Sequence, residues 1–237
     1  SQNSKGSWIE QDAQKLESWL RQCIPGSVRA KVIAIAELMA SRPLIAFITF
    51  YVLICTRSIE WLRNAQFYIE DGTEFYGKAF DFGSSTVFEV YQSYLHLFTR
   101  LLALIAASVH IHYGPALVEL LAIAVQAAAA AFVVSSRLRN QTPSDCLRLA
   151  FALAIVAAPY SNELFANLAH SQWYLAIISV SILCSTPSPT VPGRIFDAAV
   201  FGLNCLTGPF APVLALIGWS KWRADRSKVL PWIATGC

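Results

Sequence analysis

Apolar residues fall in long runs along this chain, and the polar residues are bunched between the runs instead of alternating with them. Pro43-Leu-Ile-Ala-Phe-Ile-Thr-Phe-Tyr-Val-Leu-Ile-Cys55 is the strongest part of a run over about 32–56, with Glu37 and Arg42 toward its N-terminal end, where they can reach an interface. A second, cleaner run covers about Pro115 to Val134. Each provides the roughly 20 residues that a helix needs to cross a bilayer. Ser84 to His112 is also apolar but carries Arg100, and a charge is costly at the centre of a span, so this segment is predicted as a helix lying along or dipping into the outer leaflet. Two hairpins follow. The first runs over about 147–159, turns at 159–170 and returns over 171–185; the second has arms of about 12 residues from Ile195 to Leu206 and from Phe210 to Trp222. Those arms are too short to cross comfortably, which predicts a re-entrant or short, tilted hairpin. Its break at Thr207-Gly208-Pro209 is then expected inside protein or along a cavity, because irregular backbone facing lipid leaves amides unpaired. Near the start, Trp8, Leu16, Trp19, Leu20 and Cys23 recur at helical spacing, as in an interfacial amphipathic helix.

These elements predict an all-α fold: a polytopic transmembrane helix bundle with outer-face juxtamembrane helices and short or re-entrant hairpins. Residues 1–30 form the cytoplasmic or interfacial helix and 31–237 the transmembrane domain, with a first outer loop at about 57–113. Composition agrees, since 14% charged residues is far below the 25% or so of soluble domains, and mean hydropathy is +0.47. No basic region followed by an apolar stretch opens the chain, so no cleaved signal peptide is expected. The closing Pro231-Trp-Ile-Ala-Thr-Gly-Cys237 reads like the start of another span, which makes a truncated C-terminus an open expectation.

Charge sets orientation. With a cytoplasmic N-terminus and 94–112 not crossing, fourteen of the 18 Lys and Arg lie inside (six from Lys5 to Arg42, then Arg137, Arg139, Arg148, Arg194, Lys221, Arg223, Arg226 and Lys228), as the positive-inside rule asks. The basic residues form no single patch, which excludes a nucleic-acid footprint. The six cysteines share no C-x-x-C or metal-ligand spacing and read as packing residues. There is no P-loop, G-x-S-x-G, H-E-x-x-H or G-x-G-x-x-G, which argues against an ATPase, a serine hydrolase, a zincin or a dinucleotide enzyme.

The same topology gathers Glu60, Glu70, Asp71, Glu74, Asp81, Glu89, Glu163 and all four histidines on the outer face. In Phe67-Tyr-Ile-Glu-Asp-Gly-Thr-Glu-Phe-Tyr76, acids between aromatics can bind a divalent cation or act as a general base, because burial and like-charge neighbours raise a carboxylate pKa; Asp71-Gly72 can equally be a simple turn. A second cluster holds Asn162, Glu163, Asn167, His170 and Trp173. On a helix Asn167 and His170 share a face and can hold a phosphate or sugar hydroxyls, with Trp173 as a stacking platform, or they can simply cap and cross-link helices. Arg100 can meet a lipid phosphate or pair with nearby acids. His110-Ile-His112 converges on a metal only if it is a strand.

Glu70-Asp71 and Glu74 in a long first outer loop, followed by Tyr94-Leu-His-Leu-Phe-Thr-Arg-Leu-Leu-Ala103, Asn167-x-x-His170-x-x-Trp173 and Leu206-Thr-Gly-Pro-Phe210, resemble the GT-C superfamily of polyprenyl-phosphate-sugar-dependent glycosyltransferases. The resemblance covers about residues 43–223, although such enzymes usually carry more spans than this chain holds. It implies an inverting transfer of a sugar from a lipid-phosphate donor at the extracytoplasmic face of a bacterial inner membrane. It places Asp71 as catalytic base or metal ligand with Glu70 and Glu74 beside it, and Arg100 and His170 on the phosphate; Asn167 and Trp173 complete the substrate-binding set. Mg or Mn serves some members and not others, so metal and cofactor are open. Membrane lipids, a lipid-linked sugar donor and a membrane-protein partner are the implied partners. Two rivals remain, a lipid-linked glycan transporter or flippase and a non-catalytic membrane subunit; the scarcity of mid-span ionisable groups favours the enzyme over the transporter.

Overall fold

The computed structural model describes residues 25–57, 59–157 and 167–224, without the side chains of residues 222 and 224. The amphipathic stretch at 7–24, Asn162, Glu163, and the basic and apolar residues after Ala224 lie outside them. The described chain is all-helical apart from one small hairpin, as the apolar runs predict. The helices are α1 (Gly26–Ser41), α2 (Pro43–Arg57), α3 (Ile59–Arg63), α4 (Lys78–Phe82), α5 (Leu97–Ala107), α6 (Gly114–Val134), α7 (Asp145–Val156), α8 (Ser171–Cys184), α9 (Val191–Cys205) and α10 (Ala211–Ala224); strands β1 (Val90–Tyr91) and β2 (Tyr94–Leu95) pair antiparallel.

α6 is the central element. Its Ala127, Ala129 and Ala130 are fully buried, and side chains this small let neighbouring backbones come close. It packs against α2, α7 and α8. Ile111–Val134 is the one stretch among the described residues that is both long and apolar enough to cross a membrane as a single straight unit. The expected first span is different. Instead of one helix over about 32–56 there are two, α1 and α2, bent by 113° at Arg42. Pro43 explains the break, since it disfavours helical backbone at the residue before it, and Arg42 sits at φ −125° and ψ 80°.

The segment 84–112 also departs from expectation. Only Leu97–Ala107 is α-helical, preceded by a 3-10 turn (Gly83–Thr86) and the β1–β2 hairpin, and followed by the 3-10 turn Ile111–Tyr113. At 11 residues, and about 1.5 Å per residue, α5 falls well short of a bilayer's hydrocarbon thickness of roughly 30 Å. The last hairpin is short too, with arms of 15 and 14 residues. Its break has a clear task. Leu206 O accepts from Leu97 N at 3.1 Å and Thr207 Oγ1 from Phe98 N at 3.0 Å, so two N–H groups at the open start of α5 are satisfied from across the fold. Thr207 is buried as expected, whereas Pro209 is exposed.

Three apolar clusters hold the bundle together. One joins α1, α2, α6 and α7; a second joins α6, α8 and α9. The third lies at one end, where Phe75, Tyr76, Ala79, Ala103, Ala106, Val118, Leu168 and Ala169 meet. The chemistry collects around this third cluster.

Candidate functional site

Asp71 opens a seven-residue π-helical segment, Asp71–Gly77. π turns are rare, and they occur often at functional sites because the widened turn re-aims its side chains. Gly77 permits it here: a Cβ at that position would lie 2.7 Å from Gly72 O. The segment turns Asp71 inward, where it is 1% exposed, while Glu70 and Glu74 are only half-buried.

The carboxylate of Asp71 is held from across the fold. Its Oδ2 accepts from Leu168 N at 2.7 Å and its Oδ1 from Ala169 N at 2.8 Å. These residues sit just ahead of α8, so Asp71 clasps the first loop to the start of the returning hairpin, 97 residues away in sequence. Burial raises its pKa to about 6, with the two amides working against the rise and the neighbouring Glu70 adding slightly to it. Asp71 therefore titrates near neutrality while its orientation is fixed.

The remaining sequence-derived residues divide. Asn167 is buried beside the clasp. Its Oδ1 accepts from His170 N at 3.4 Å, and its Nδ2 has no hydrogen-bond partner. Asn167 and His170 are thus related by a capping turn before α8, not by a shared helical face. His170 is half-buried, and Trp173 is 49% exposed with its ring edge-on to Phe210 at 4.9 Å.

Arg100 faces the protein interior and is 1% exposed. Its Nε donates to Glu89 O at 3.0 Å and Nη1 to Glu74 O at 3.4 Å; Nη1 also lies 3.6 Å from the Glu89 carboxylate. Of the two roles open to it, the structure has the internal pairing. Lys78 bridges Glu74 at 2.9 Å and Glu89 at 2.8 Å, so these two acids are tied into one ion-pair network with Lys78 and Arg100 instead of converging on Asp71. His110 and His112 stand on a 3-10 turn, where His110 Nδ1 accepts from His112 N. Among the described residues no three His, Cys, Asp or Glu groups are placed to hold a metal.

Two residues were not singled out by sequence. Glu119, the one acid in the apolar run of α6, is buried; its Oε1 accepts from Gln66 N at 3.4 Å, its Oε2 has no partner, and it lies close enough to Asp71 for their charges to interact. A lone carboxyl within an apolar helix is itself a signal of function or of a specific partner. His96, at the start of α5, lies in the Tyr94–Ala103 stretch that carries the family resemblance; it is buried within an aromatic surround that this stretch alone does not disclose.

No family model, no curated protein and no solved structure matches the chain.

Proposed function

We propose that this chain is a polytopic integral membrane protein of a bacterial inner membrane, and that the end built around Asp71 transfers a sugar from a lipid-phosphate donor at the extracytoplasmic face, in the manner of the GT-C glycosyltransferases. The membrane reading is supported by the length of α6, by the bent pair α1–α2, which together are long and apolar enough for a broken span or a re-entrant loop, and by the distribution of basic residues along the sequence. The clasp lies at one end of the helices. At the other end Arg137, Arg139 and Arg148 meet the starts of α7 and α9, and Lys221 donates to Leu183 O at the end of α8. This is the asymmetry that the positive-inside rule produces.

One observation carries the chemical reading: Asp71 is a buried carboxyl of fixed orientation whose pKa of about 6 suits a general base. Each of its oxygens accepts one backbone N–H, and a carboxylate oxygen has a second lone pair. In the proposed step the acceptor hydroxyl oxygen bonds to the anomeric carbon from the face opposite the phosphate. The bond from that carbon to the phosphate oxygen breaks, and the lipid phosphate leaves with the electron pair. Asp71 takes the hydroxyl proton. Asn167, whose Nδ2 is unpartnered, and His170 stand next to the clasp and bind the phosphate oxygens.

The test is an assay of purified full chain with a polyprenyl-phosphate sugar donor and an acceptor glycan, scored per folded molecule. Asp71→Asn keeps the shape and removes the basicity, so transfer falls about 10²- to 10⁴-fold. Full activity in that variant rejects the assignment. The near-complete burial of Asp71, with both oxygens engaged, favours one alternative, a non-catalytic membrane subunit in which the clasp is purely structural. In that case wild-type protein transfers no sugar and Asp71→Asn loses only stability.

A further inference from the structure

His96 and Arg100 are one helical turn apart at the start of α5, joined through Arg100 N donating to His96 O at 2.8 Å. They are 3% and 1% exposed. Nδ1 and Nε2 of His96 and Nη2 of Arg100 are buried without a hydrogen bond of normal geometry, although the Tyr91 backbone lies near enough to act weakly on the imidazole. Leaving buried polar groups unmatched costs about 1–3 kcal/mol each, so such a concentration calls for partners from outside the chain, a water or a ligand.

Aromatic rings enclose the pair. The imidazole lies 4.4 Å from the ring of Tyr94, 5.2 Å from Phe75 and 5.7 Å from Tyr91, and the Arg100 guanidinium sits 5.5 Å over Phe75. Both tyrosines come from the β1–β2 hairpin. Its two-residue turn puts Gln92 at φ 49° and Ser93 at φ 74°, a conformation that favours Asn or Gly, so a locally strained hairpin closes over the unmatched groups.

We infer that the cluster formed by His96, Arg100, Phe75, Tyr91 and Tyr94 is a binding site for a neutral sugar ring, whose adjacent hydroxyls pair with the imidazole and with the free Arg100 nitrogen. The charge balance selects a neutral ligand over an anion: Arg100 and Lys78 are already matched by Glu89 and Glu74, leaving no surplus positive charge for a phosphate. Burial, aided by the Arg100 charge, lowers the His96 pKa to about 4. The ring is therefore uncharged at neutral pH and presents one donor and one acceptor, which is what a sugar hydroxyl uses. Aromatic faces pack against the C–H faces of a sugar ring while its hydroxyls take the polar groups.

The inference deepens the transfer reading by naming where the sugar sits, and its test is independent of transfer. Full chain carrying isotope-labelled histidine is titrated with a panel of methyl glycosides, and separately with inorganic phosphate, each at about 100 mM, enough to fill a site of millimolar affinity. The His96 ring signals are identified by their loss in His96→Gln. At least one glycoside should shift them saturably and phosphate should not. Should His96→Gln fail to fold, Tyr94→Leu keeps the imidazole and removes one aromatic wall, and should weaken glycoside binding several-fold. Shifts with phosphate alone, or no shift with any glycoside, overturn the inference. Glycoside binding without transfer in wild-type protein leaves it standing and rejects the catalytic reading.

Discussion

Burial moves the Asp71 carboxyl and the His96 imidazole in opposite directions, and their effects on stability oppose each other over the same pH range. The Asp71 pKa is raised from 3.8 to about 6, so its contribution is complete below about pH 4 and is lost as pH rises through about 6. The His96 pKa is lowered from 6.5 to about 4, so its contribution is complete above about pH 6.5 and is lost as pH falls through about 4. Single variants separate the two. Relative to wild type, thermal melting of Asp71→Asn should gain a rising slope between about pH 4 and 6, and His96→Gln a falling one. Identical slopes in all three proteins would show that neither group titrates as its burial implies. The clasp itself predicts a cost for Asp71→Asn, because an amide offers one acceptor where a carboxylate offers two and leaves a backbone N–H facing an NH₂ group. Losing that match costs about 1–3 kcal/mol at neutral pH, measurable as a lower melting temperature.

At the scale of the elements, two short features hold the Asp71 end in place. Thr207 caps α5 from the broken hairpin, and Thr207→Val removes the acceptor for Phe98 N while keeping the shape. It should lower stability by about 1 kcal/mol, as loss of a helix cap commonly does, and a melting temperature matching wild type would deny the cap its role. The β1–β2 turn offers the converse: Gln92→Asn with Ser93→Gly matches the left-handed backbone and should raise the melting temperature by relieving strain. Both features also mark the reach of sequence pattern. The runs that became α6, α7 and α8 were legible because a long apolar stretch has few ways to satisfy its backbone except as a buried helix. The bend at Arg42 was written in Pro43, but an unbroken apolar run outweighed one proline. The hairpin at 90–95 was missed because Gln92-Ser93 lacks the usual Asn-Gly signature and its strands are two residues long. Asp71 was legible as a residue of interest. Its amide partners were not, since backbone groups at 168 and 169 leave no trace in side-chain identity, and the aromatic surround of His96 comes from three separate elements.

For the molecule as a whole, charge is the organising feature. The end away from Asp71 is tied by Arg137, whose guanidinium meets the fully buried Asp197 through two hydrogen bonds of 2.7 Å and also reaches Ser185 and Thr186. Removing one partner strands a buried charge, so Arg137→Ala should destabilise by about 3 kcal/mol in denaturation experiments, far more than loss of an exposed ion pair such as Arg139–Asp145. Orientation follows from the same asymmetry: a cysteine placed at Ser84 should label from the extracytoplasmic side and one at Ser144 from the cytoplasmic side. The most direct measurement joins orientation to chemistry. Right-side-out and inverted membrane vesicles containing the full chain are given a polyprenyl-phosphate sugar donor in the bilayer and a membrane-impermeant acceptor outside. Right-side-out vesicles should glycosylate the acceptor, inverted ones should not, and Asp71→Asn should abolish the product at equal amounts of folded protein. Transfer by inverted vesicles, or undiminished transfer by Asp71→Asn, would contradict the assignment of extracytoplasmic sugar transfer to Asp71.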